Sequence, residues 1–505
     1  MALVAILLER LRAQPQGLLV AEGLFLLFLT WRLFARWRRQ NPPERPRDLP
    51  GSQPFRLTPV HDVPRRVSGG GHQTEPRWAI QLLARREPRR RGLGRSGPDG
   101  VSDDSGVGPE RWITNRFAAL FGSFLDISEL TKNSMRKCML IYKRCTQDDH
   151  LTTNLHHLVA DSEARIREMG QGEAVIDPLK FMGLLIYQLT HRMAGAHDIA
   201  NDPQLLRETW AVYAPLEDSP YVDILFPWLP TPSKLRKVWG YTKLHLTVQR
   251  IAKKREAAEK AGTDMLQMLM DEGMSSMIRS LAVIGAVLAG VFNTTFATTW
   301  TLCCLAGNPE WLTRVRAEID TTISQHRMTE DESLVDIFQR LSLRDWETAF
   351  PALQAAMKES IRFTMAGAVV RKNISGQDIK IGGTGRVIPN GSLAIHATAD
   401  AHMDEAIYPD PLRWDPSRFA KEVPEGSEVA HGYLGWGSGN HPCPAQRFAE
   451  LNVVVATVMF IASYDFALCG ENGIAASGPL PAIVYNRMGA GRPKTDVYMK
   501  CRRRH

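Results

Sequence analysis

The sequence GWGSGNHPCP, residues 435–444, places Cys443 at the end of a loop that has three glycines in five residues. An apolar, helix-patterned run from Phe448 to Tyr464 follows it. The sulfur is therefore expected at the N-terminus of a helix, where unpaired N–H groups and the helix dipole favour its thiolate form. A thiolate is a soft ligand for a metal ion. The loop predicts a metal-binding cysteine, with a small buried cysteine in a glycine-rich turn as the simpler alternative.

A long run without charge lies in the middle of the chain, between Arg279 and Glu310. Its length exceeds what a membrane-spanning helix requires. The run also contains polar residues, Asn293, Thr294 and Thr295 among them, and charged amphipathic helices are predicted on both sides of it. This pattern favours a helix buried in a large soluble core over a membrane span.

A potential ion pair precedes a strand-rich part of the chain. Glu359 and Arg362 are three residues apart on a predicted helix, so their side chains share one face and can pair. On an exposed surface such a pair contributes only about 0.3–0.5 kcal/mol, and pairs of this kind are common. Whether this pair has a structural role therefore depends on the motifs around it.

Together these segments resemble the motifs of the cytochrome P450 monooxygenases, in particular those of the filamentous fungal microsomal type. The motifs occur in the family's order: GVFNTT at 290–295, the Glu-x-x-Arg pair at 359–362, a Pro-x-Arg-Phe segment at 416–419, and the cysteine loop. Within the loop, Trp436 stands where phenylalanine is usual and Ala445 replaces the customary glycine.

The resemblance implies a haem b cofactor (heme b, iron protoporphyrin IX) with the thiolate of Cys443 as its axial ligand to iron. Arg371 and His441 are expected to bind the haem propionates. Three further residues are expected to stiffen the ligand loop as a lattice of charged side chains: Glu359, Arg362 and Arg418.

The resemblance also implies that Thr294 is the hydroxyl that handles dioxygen and relays protons. Asn293 stands where many members of the family have Asp or Glu. Because an amide can hydrogen-bond but cannot shuttle a proton by ionising, an ordered chain of water is expected to substitute for the acid. Val291, Phe292 and residues 364–368 are expected to line an apolar substrate pocket.

Helical patterning runs from Arg111 through most of the chain, whereas residues 366–395 are typical of short strands and hairpins. The expected fold is mainly α with a minor β region, the cytochrome P450 fold. The implied activity is a haem-dependent monooxygenase that hydroxylates or otherwise oxidises a lipophilic small molecule in fungal secondary metabolism, with electrons from an NADPH-dependent flavoprotein reductase. Two alternatives remain: a catalytically impaired, membrane-tethered haem-binding relative, and an oxygen-independent haem-thiolate isomerase or dehydratase.

The N-terminal part of the chain divides into two further segments. Residues 1–39 combine an apolar run with four following arginines, a pattern that favours a retained membrane-anchor helix over a cleaved signal peptide. Residues 40–110 are a proline-rich hinge and an Arg/Gly-rich stretch, expected to lack folded structure apart from an apolar patch at 78–84. Residues 111–505 are then the haem-binding domain, expected in the cytosol on the endoplasmic reticulum membrane.

Composition narrows the remaining function classes. The seven cysteines are odd in number and lack C-x-x-C spacing, so neither a disulfide framework nor a zinc site is indicated. The net charge of +8 comes mainly from basic flanks. No aromatic-interleaved basic motif accompanies those flanks, so a nucleic-acid partner is not predicted; a membrane surface or a negatively charged redox partner explains the charge equally well.

Overall fold

The computed structural model describes residues 81–83, 132–170, 172–217, 231–258, 262–365, 367–381, 386–439, 442–476, 480, 482–484 and 490–504. All of these residues belong to one compact unit, Pro76–His505. The predicted membrane anchor at 1–39, the proline-rich hinge and nearly all of the Arg/Gly-rich stretch lie outside the described residues.

Helices dominate the described residues, as the mainly α prediction requires. A 3₁₀ turn, Ala214–Glu217, follows the helix that ends at Tyr213. In chain order the helices are α1 (Lys132–Arg144), α2 (Asp148–Arg167), α3 (Pro178–Ala194), α4 (His197–Asn201), α5 (Pro203–Tyr213), α6 (Pro232–Ala258), α7 (Met265–Asp271), α8 (Ser276–Ala306), α9 (Pro309–His326), α10 (Leu334–Gln339), α11 (Leu343–Thr348), α12 (Pro351–Thr364), α13 (Thr398–His402), α14 (Ser417–Ala420) and α15 (Gln446–Ser463).

Helix α8 runs through the core because it is apolar on almost every side. No charged residue follows Arg279 within it, and a helix that is apolar all round is stable in water only where protein covers it. It packs against α3, α6, α12 and α15. By length and composition it is the one described helix capable of crossing a membrane, yet 56% of its most apolar window is buried inside the protein. This burial agrees with the predicted core helix.

Helix α15 is the second central helix and carries the cysteine loop at its N-terminal end. All residues from Leu451 to Ser463 are buried, so the helix has no solvent face over its last three turns. It packs against α2, α3 and α8, and the chain passes from its last residue directly into a strand at Tyr464. The loop before α15 is thereby fixed to the middle of the core.

The strands form small antiparallel sheets. The strands are β1 (Gln81–Leu83), β2 (Glu173–Ile176), β3 (Ala368–Lys372), β4 (Ile379–Ile381), β5 (Arg386–Ile388), β6 (Leu393–Ala397), β7 (Tyr464–Cys469), β8 (Ile483–Val484), β9 (Arg492–Pro493) and β10 (Tyr498–Arg503). Two sheets have three strands each, in the orders β1-β6-β3 and β2-β10-β7, and two further pairs are β4-β5 and β8-β9.

The predicted strand-rich stretch at 366–395 is confirmed by β3 to β6. The structure adds two features that the sequence pattern did not predict. Strand β1 falls within the apolar patch at 78–84 and pairs with β6, with Leu82 opposite Ala394. Strand β2, early in the chain, pairs with the last strand, with Met499 opposite Ile176. Both differences arise from pairing over long sequence distances, which a local pattern cannot show.

Candidate functional site

The cysteine loop is closed by backbone hydrogen bonds. The N–H of Gly437 donates to the carbonyl of Leu434 at 3.0 Å, and the N–H of Cys443 donates to the carbonyl of Trp436 at 2.7 Å. Gly439 has a φ of 73°, a conformation that a residue with a Cβ rarely adopts. The loop therefore folds back on itself and delivers the cysteine three residues before α15 begins at Gln446.

The loop backbone lies directly on helix α12. A Cβ added at Gly435 would come within 2.7 Å of the Ile361 Cγ2 atom. Trp436 and Tyr433 pack against an apolar cluster that α8, α12 and α15 supply together. The members of this cluster are Ala297, Met357, Ile361 and Val453. Helices α8, α12 and α15 thus position the cysteine loop together.

Cys443 is partly buried. Burial raises the pKa of the Cys443 thiol, although the N–H of Ala445 lowers it; the negative charge of Glu450 raises it further. Desolvation therefore opposes the thiolate form that the helix N-terminus favours. Coordination to a metal ion deprotonates a thiol outright and supplies the missing stabilisation.

The set of metal-ligating side chains fits a haem better than a bare ion. Within the part of the chain that the structure describes, no three His, Cys, Asp or Glu side chains gather where they would hold a metal ion. Among the described residues, Cys443 therefore offers a single soft ligand. A haem brings four nitrogen ligands of its own and requires only an axial ligand from the protein.

Part of helix α8 is exposed to solvent, although most of its residues are buried. Ala289 and Asn293 are exposed and lie one turn apart, and Gly290 between them is half-buried. We call these three residues the open face of α8. Ala297, one further turn along, packs in the same apolar cluster as Trp436. The open face and the cysteine loop are thus neighbours.

The other predicted residues of α8 lie deeper. Thr294 is only 4% exposed. Thr295 is also buried, and its hydroxyl oxygen has no hydrogen-bond partner among the described atoms. Val291 is fully buried, and the half-buried Phe292 stacks on Tyr213 with ring centroids 5.2 Å apart, so a pocket role for these two residues stays a prediction. The helical period turns these two side chains away from the open face.

Glu359, Arg362 and Arg418 form one buried assembly, which we call the charge lattice. Arg362 donates two hydrogen bonds to the Glu359 carboxylate, at 2.7 and 2.8 Å, and both side chains are fully buried. The Arg418 Nε atom lies 3.5 Å from a Glu359 oxygen. Because the Glu359–Arg362 pair is buried and bidentate, solvent does not weaken it as it weakens an exposed ion pair.

The charge lattice is also tied to backbone on several sides. Arg362 donates to the carbonyl oxygens of His402 at 2.6 Å and Pro411 at 2.9 Å. The N–H of Asp415 donates to Glu359 at 2.9 Å, and Arg418 also pairs with Glu425 at 2.7 Å. The lattice therefore fixes the long segment between β6 and the cysteine loop.

His402 links the charge lattice to the cysteine loop, and the sequence analysis missed it. Its Nε2 atom accepts the N–H of Leu434 at 2.8 Å, while its carbonyl accepts from Arg362. Burial lowers the pKa of His402 to about 3, so the ring is neutral and able to accept. A lone histidine on the short helix α13 carries no recognisable sequence signal. Only the fold shows that it joins Arg362 to the start of the loop.

The two predicted propionate ligands have different outcomes. Arg371 lies on β3, opposite Ala394 of β6, and its side chain is half-buried. Burial lowers the pKa of its guanidinium. His441 lies outside the described residues, so propionate binding by this residue stays a prediction.

The chain is similar to known proteins over this whole arrangement. The family model described as Cytochrome P450 matches residues 158–487. The cytochrome P450 monooxygenase AacuE of Aspergillus aculeatus is 28% identical over 332 residues, 65% of this chain and 66% of that protein. A cytochrome P450 monooxygenase of Pseudocercospora fijiensis is 27% identical over 403 residues, 78% of this chain and 80% of that protein. The fusicoccin H C-9 hydroxylase of Phomopsis amygdali is 30% identical over 196 residues, 37% of this chain and 35% of that protein.

The matches differ in how much of each relative they cover. The chain spans about half the length of other curated fungal relatives, and just under two thirds of the Aspergillus aculeatus protein. The family match nevertheless covers more than half of the chain and contains α8, the charge lattice and the cysteine loop. The chain therefore belongs to the cytochrome P450 family, and its curated relatives named above are monooxygenases and a hydroxylase.

Proposed function

We propose that this protein is a haem-dependent monooxygenase that hydroxylates or otherwise oxidises a lipophilic small molecule. One observation carries the proposal: the loop that ends at Cys443 packs against α8 at Ala297, one turn from Asn293 and Thr294. The cysteine loop and the helix segment that carries Asn293 and Thr294 are thereby joined through one apolar cluster. This is the arrangement that a haem with an axial sulfur ligand needs.

Cys443 would hold the iron of haem b, and Arg371 and His441 would bind its propionates. The charge lattice and His402 would keep the loop still, so that the sulfur does not move when the oxidation state of the iron changes. When bound, the haem supplies the redox-active iron at which dioxygen is reduced and one oxygen atom is transferred to the substrate. The open face of α8 would leave room for the haem and its substrate, because Ala289 and Gly290 have little or no side chain there.

Thr294 would hold and pass on protons through its Oγ1 hydroxyl, which both donates and accepts hydrogen bonds. Asn293 would orient water by hydrogen bonds from its carboxamide but would not ionise. Its side chain is exposed, whereas Thr294 is buried. Solvent therefore has access to Asn293, and water would supply the protons that Thr294 relays.

The carbon monoxide difference spectrum of the reduced full-length protein tests this proposal. A red-shifted Soret band is expected for the wild-type protein, since a thiolate ligand donates strongly to the iron. Cys443→Ala should abolish that band. Cys469→Ala, at the end of β7, is the matched control and should retain it. Absence of haem from purified wild-type protein would overturn the proposal.

The partners and the location complete the proposal. An NADPH-dependent flavoprotein reductase would supply the electrons, and the apolar run at 1–39 would anchor the protein in the endoplasmic reticulum membrane. The similarity to the hydroxylase of fusicoccin H supports a small-molecule substrate of fungal secondary metabolism. Deleting residues 1–39 should release the protein from microsomal membranes into the soluble fraction; retention of the truncated protein in the pellet would contradict the anchor.

A further inference from the structure

His431 has a backbone conformation that is uncommon outside glycine. Its φ is 63°, and among the described residues only one other non-glycine residue, Asp410, has a positive φ. A residue with a Cβ is disfavoured in this region, so it persists there only where its surroundings hold it, and such residues cluster at functional sites. His431 lies four residues before Gly435, where the cysteine loop begins.

The ring of His431 binds to the cysteine loop. Its Nδ1 atom lies 2.5 Å from the Oγ atom of Ser438, a hydrogen bond between two side chains that are seven residues apart. Ser438 lies between Gly437 and Gly439, which both have a positive φ, of 76° and 73°. The ring therefore contacts the loop where its backbone turns. We call this hydrogen bond the loop latch.

The latch acts between two points at which the loop is already held. At the first point, the N–H of Leu434 donates to the Nε2 atom of His402 at 2.8 Å. At the second point, the N–H of Cys443 donates to a carbonyl within the loop at 2.7 Å. Ser438 lies between these points in the sequence, five residues before Cys443. The ring of His431 thus fixes the middle of the loop.

The charged groups near His431 come from three segments of the chain. Burial lowers the pKa of His396 on β6, whereas the carboxylate of Asp400 on α13 raises that pKa and His431 lowers it. His396 therefore gains its proton only at a lower pH than an ordinary histidine. On the segment of His431 itself, the carboxylate of Glu428 precedes it by three residues. A proton gained by His431 is thus placed among carboxylates and a neutral ring.

We propose that the hydrogen bond between His431 and Ser438 is a proton-sensitive latch, which holds the cysteine loop more firmly when His431 is protonated. Histidine is the side chain that ordinarily exchanges its proton between pH 5 and pH 8. A neutral ring and a hydroxyl form a hydrogen bond without charge, whereas in the protonated ring the Nδ1 atom is always a donor, and a charge-assisted bond is roughly twice as strong. His431 is therefore a positioning residue, which acts on Cys443 through the loop.

Hydrogen exchange at pH 6 and pH 8, followed by mass spectrometry on the purified full-length protein, tests the latch. After correction for the intrinsic effect of pH on exchange, the protection of residues 434–446 should be roughly threefold greater at pH 6, since solvent weakens the added charge at an exposed ring. Ser438→Ala should lower the protection and make it equal at both pH values. Ser427→Ala is the matched control, because it removes a hydroxyl that donates to the carbonyl of Pro424 at 2.6 Å, and it should behave like the wild type. A wild-type loop that is protected equally at both pH values, or better at pH 8, would overturn the proposal, and so would a wild-type ratio in Ser438→Ala.

His431→Gly covers the case in which Ser438→Ala fails to fold. Glycine adopts a φ of 63° without strain, so this variant removes the ring and keeps the shape of the backbone. The proposal predicts equal protection at pH 6 and pH 8; a wild-type ratio would show that another group senses the pH, which overturns the proposal. Only the identity of what the loop holds rests on the proposed function. A wild-type protein without the thiolate band would fail that function, whereas hydrogen exchange reports on the latch, so the two failures are distinguishable.

Discussion

The charge lattice and the open face of α8 differ sharply, although the same apolar cluster connects them. In the lattice, Glu359 and Arg362 are fully buried and paired with each other. On the open face, Ala289 and Asn293 are exposed, whereas every residue of α8 from Thr294 to Leu305 is buried. Buried charge in one region and exposed residues in the other are expected of a site that positions a ligand, and not of a region that only fills a core. The lattice fixes the segment that leads into the cysteine loop, and the open face is where the proposed haem would find room.

Breaking the lattice should have the largest effect. Arg362→Met leaves the Glu359 carboxylate buried without its bidentate partner, and removing one member of a buried pair costs about 3–5 kcal/mol. We expect a loss of this size in the free energy of unfolding, measured by urea denaturation, together with loss of bound haem. Arg314→Met is the control, because its pair with Glu310 is exposed and of a kind that contributes only about 0.3–0.5 kcal/mol. Similar losses in the two variants would contradict the structural role of the lattice.

Removing the hydroxyl next to the open face should affect turnover rather than stability. Thr294→Ala is expected to lower product formation by roughly a hundredfold, the usual size of a proton-transfer contribution, while NADPH consumption continues and hydrogen peroxide is released. The neighbouring Thr295→Ala removes a buried hydroxyl that has no partner, and should leave product formation unchanged. Undiminished product from Thr294→Ala would favour an oxygen-independent isomerase or dehydratase. The amounts of product and of hydrogen peroxide formed per NADPH consumed show how far oxygen reduction is coupled to product formation.

Acid should loosen the link between the lattice and the cysteine loop through His402. Its pKa is about 3 in the folded protein and about 6.5 when unfolded, so the unfolded chain binds the extra proton as the pH falls below 6.5. Stability contributed by neutral His402 is present above pH 6.5 and is lost toward pH 3. Between pH 7 and pH 5 the loss is about 2 kcal/mol. His402→Gln should remove this part of the dependence of the unfolding free energy on pH. Urea denaturation at pH 7 and pH 5 measures that free energy; the same change between the two pH values in the variant and the wild type would contradict the role of His402.

The smallest expected effect concerns the backbone of the loop itself. Gly439→Ala places a Cβ at a φ of 73°, which costs about 1–2 kcal/mol although the space around it is open. Gly172→Ala also meets no neighbouring atom, but Gly172 lacks the positive φ, so it should be neutral or slightly stabilising. The difference between their unfolding temperatures isolates the backbone strain. Equal temperatures would mean that the loop relaxes without cost.

Sequence reasoning predicted the local features and missed those that depend on burial over long distances. The helix that carries Glu359 and Arg362 follows from spacing alone, and so does the uncharged central helix. The high pKa of the Cys443 thiol does not, because desolvation is set by which helices close around the loop. His402 escaped for the same reason: it lies in no sequence pattern, and its role depends on Arg362 and Leu434, which only the fold brings to it.

X-ray absorption at the iron edge of the purified full-length protein tests the central claim most directly. The account predicts one sulfur ligand to the iron in the wild-type protein, together with the nitrogen ligands of the haem. In Cys443→Ala that sulfur should disappear, while Cys469→Ala should retain it. An iron surrounded only by nitrogen and oxygen in the wild-type protein would contradict the assignment of Cys443.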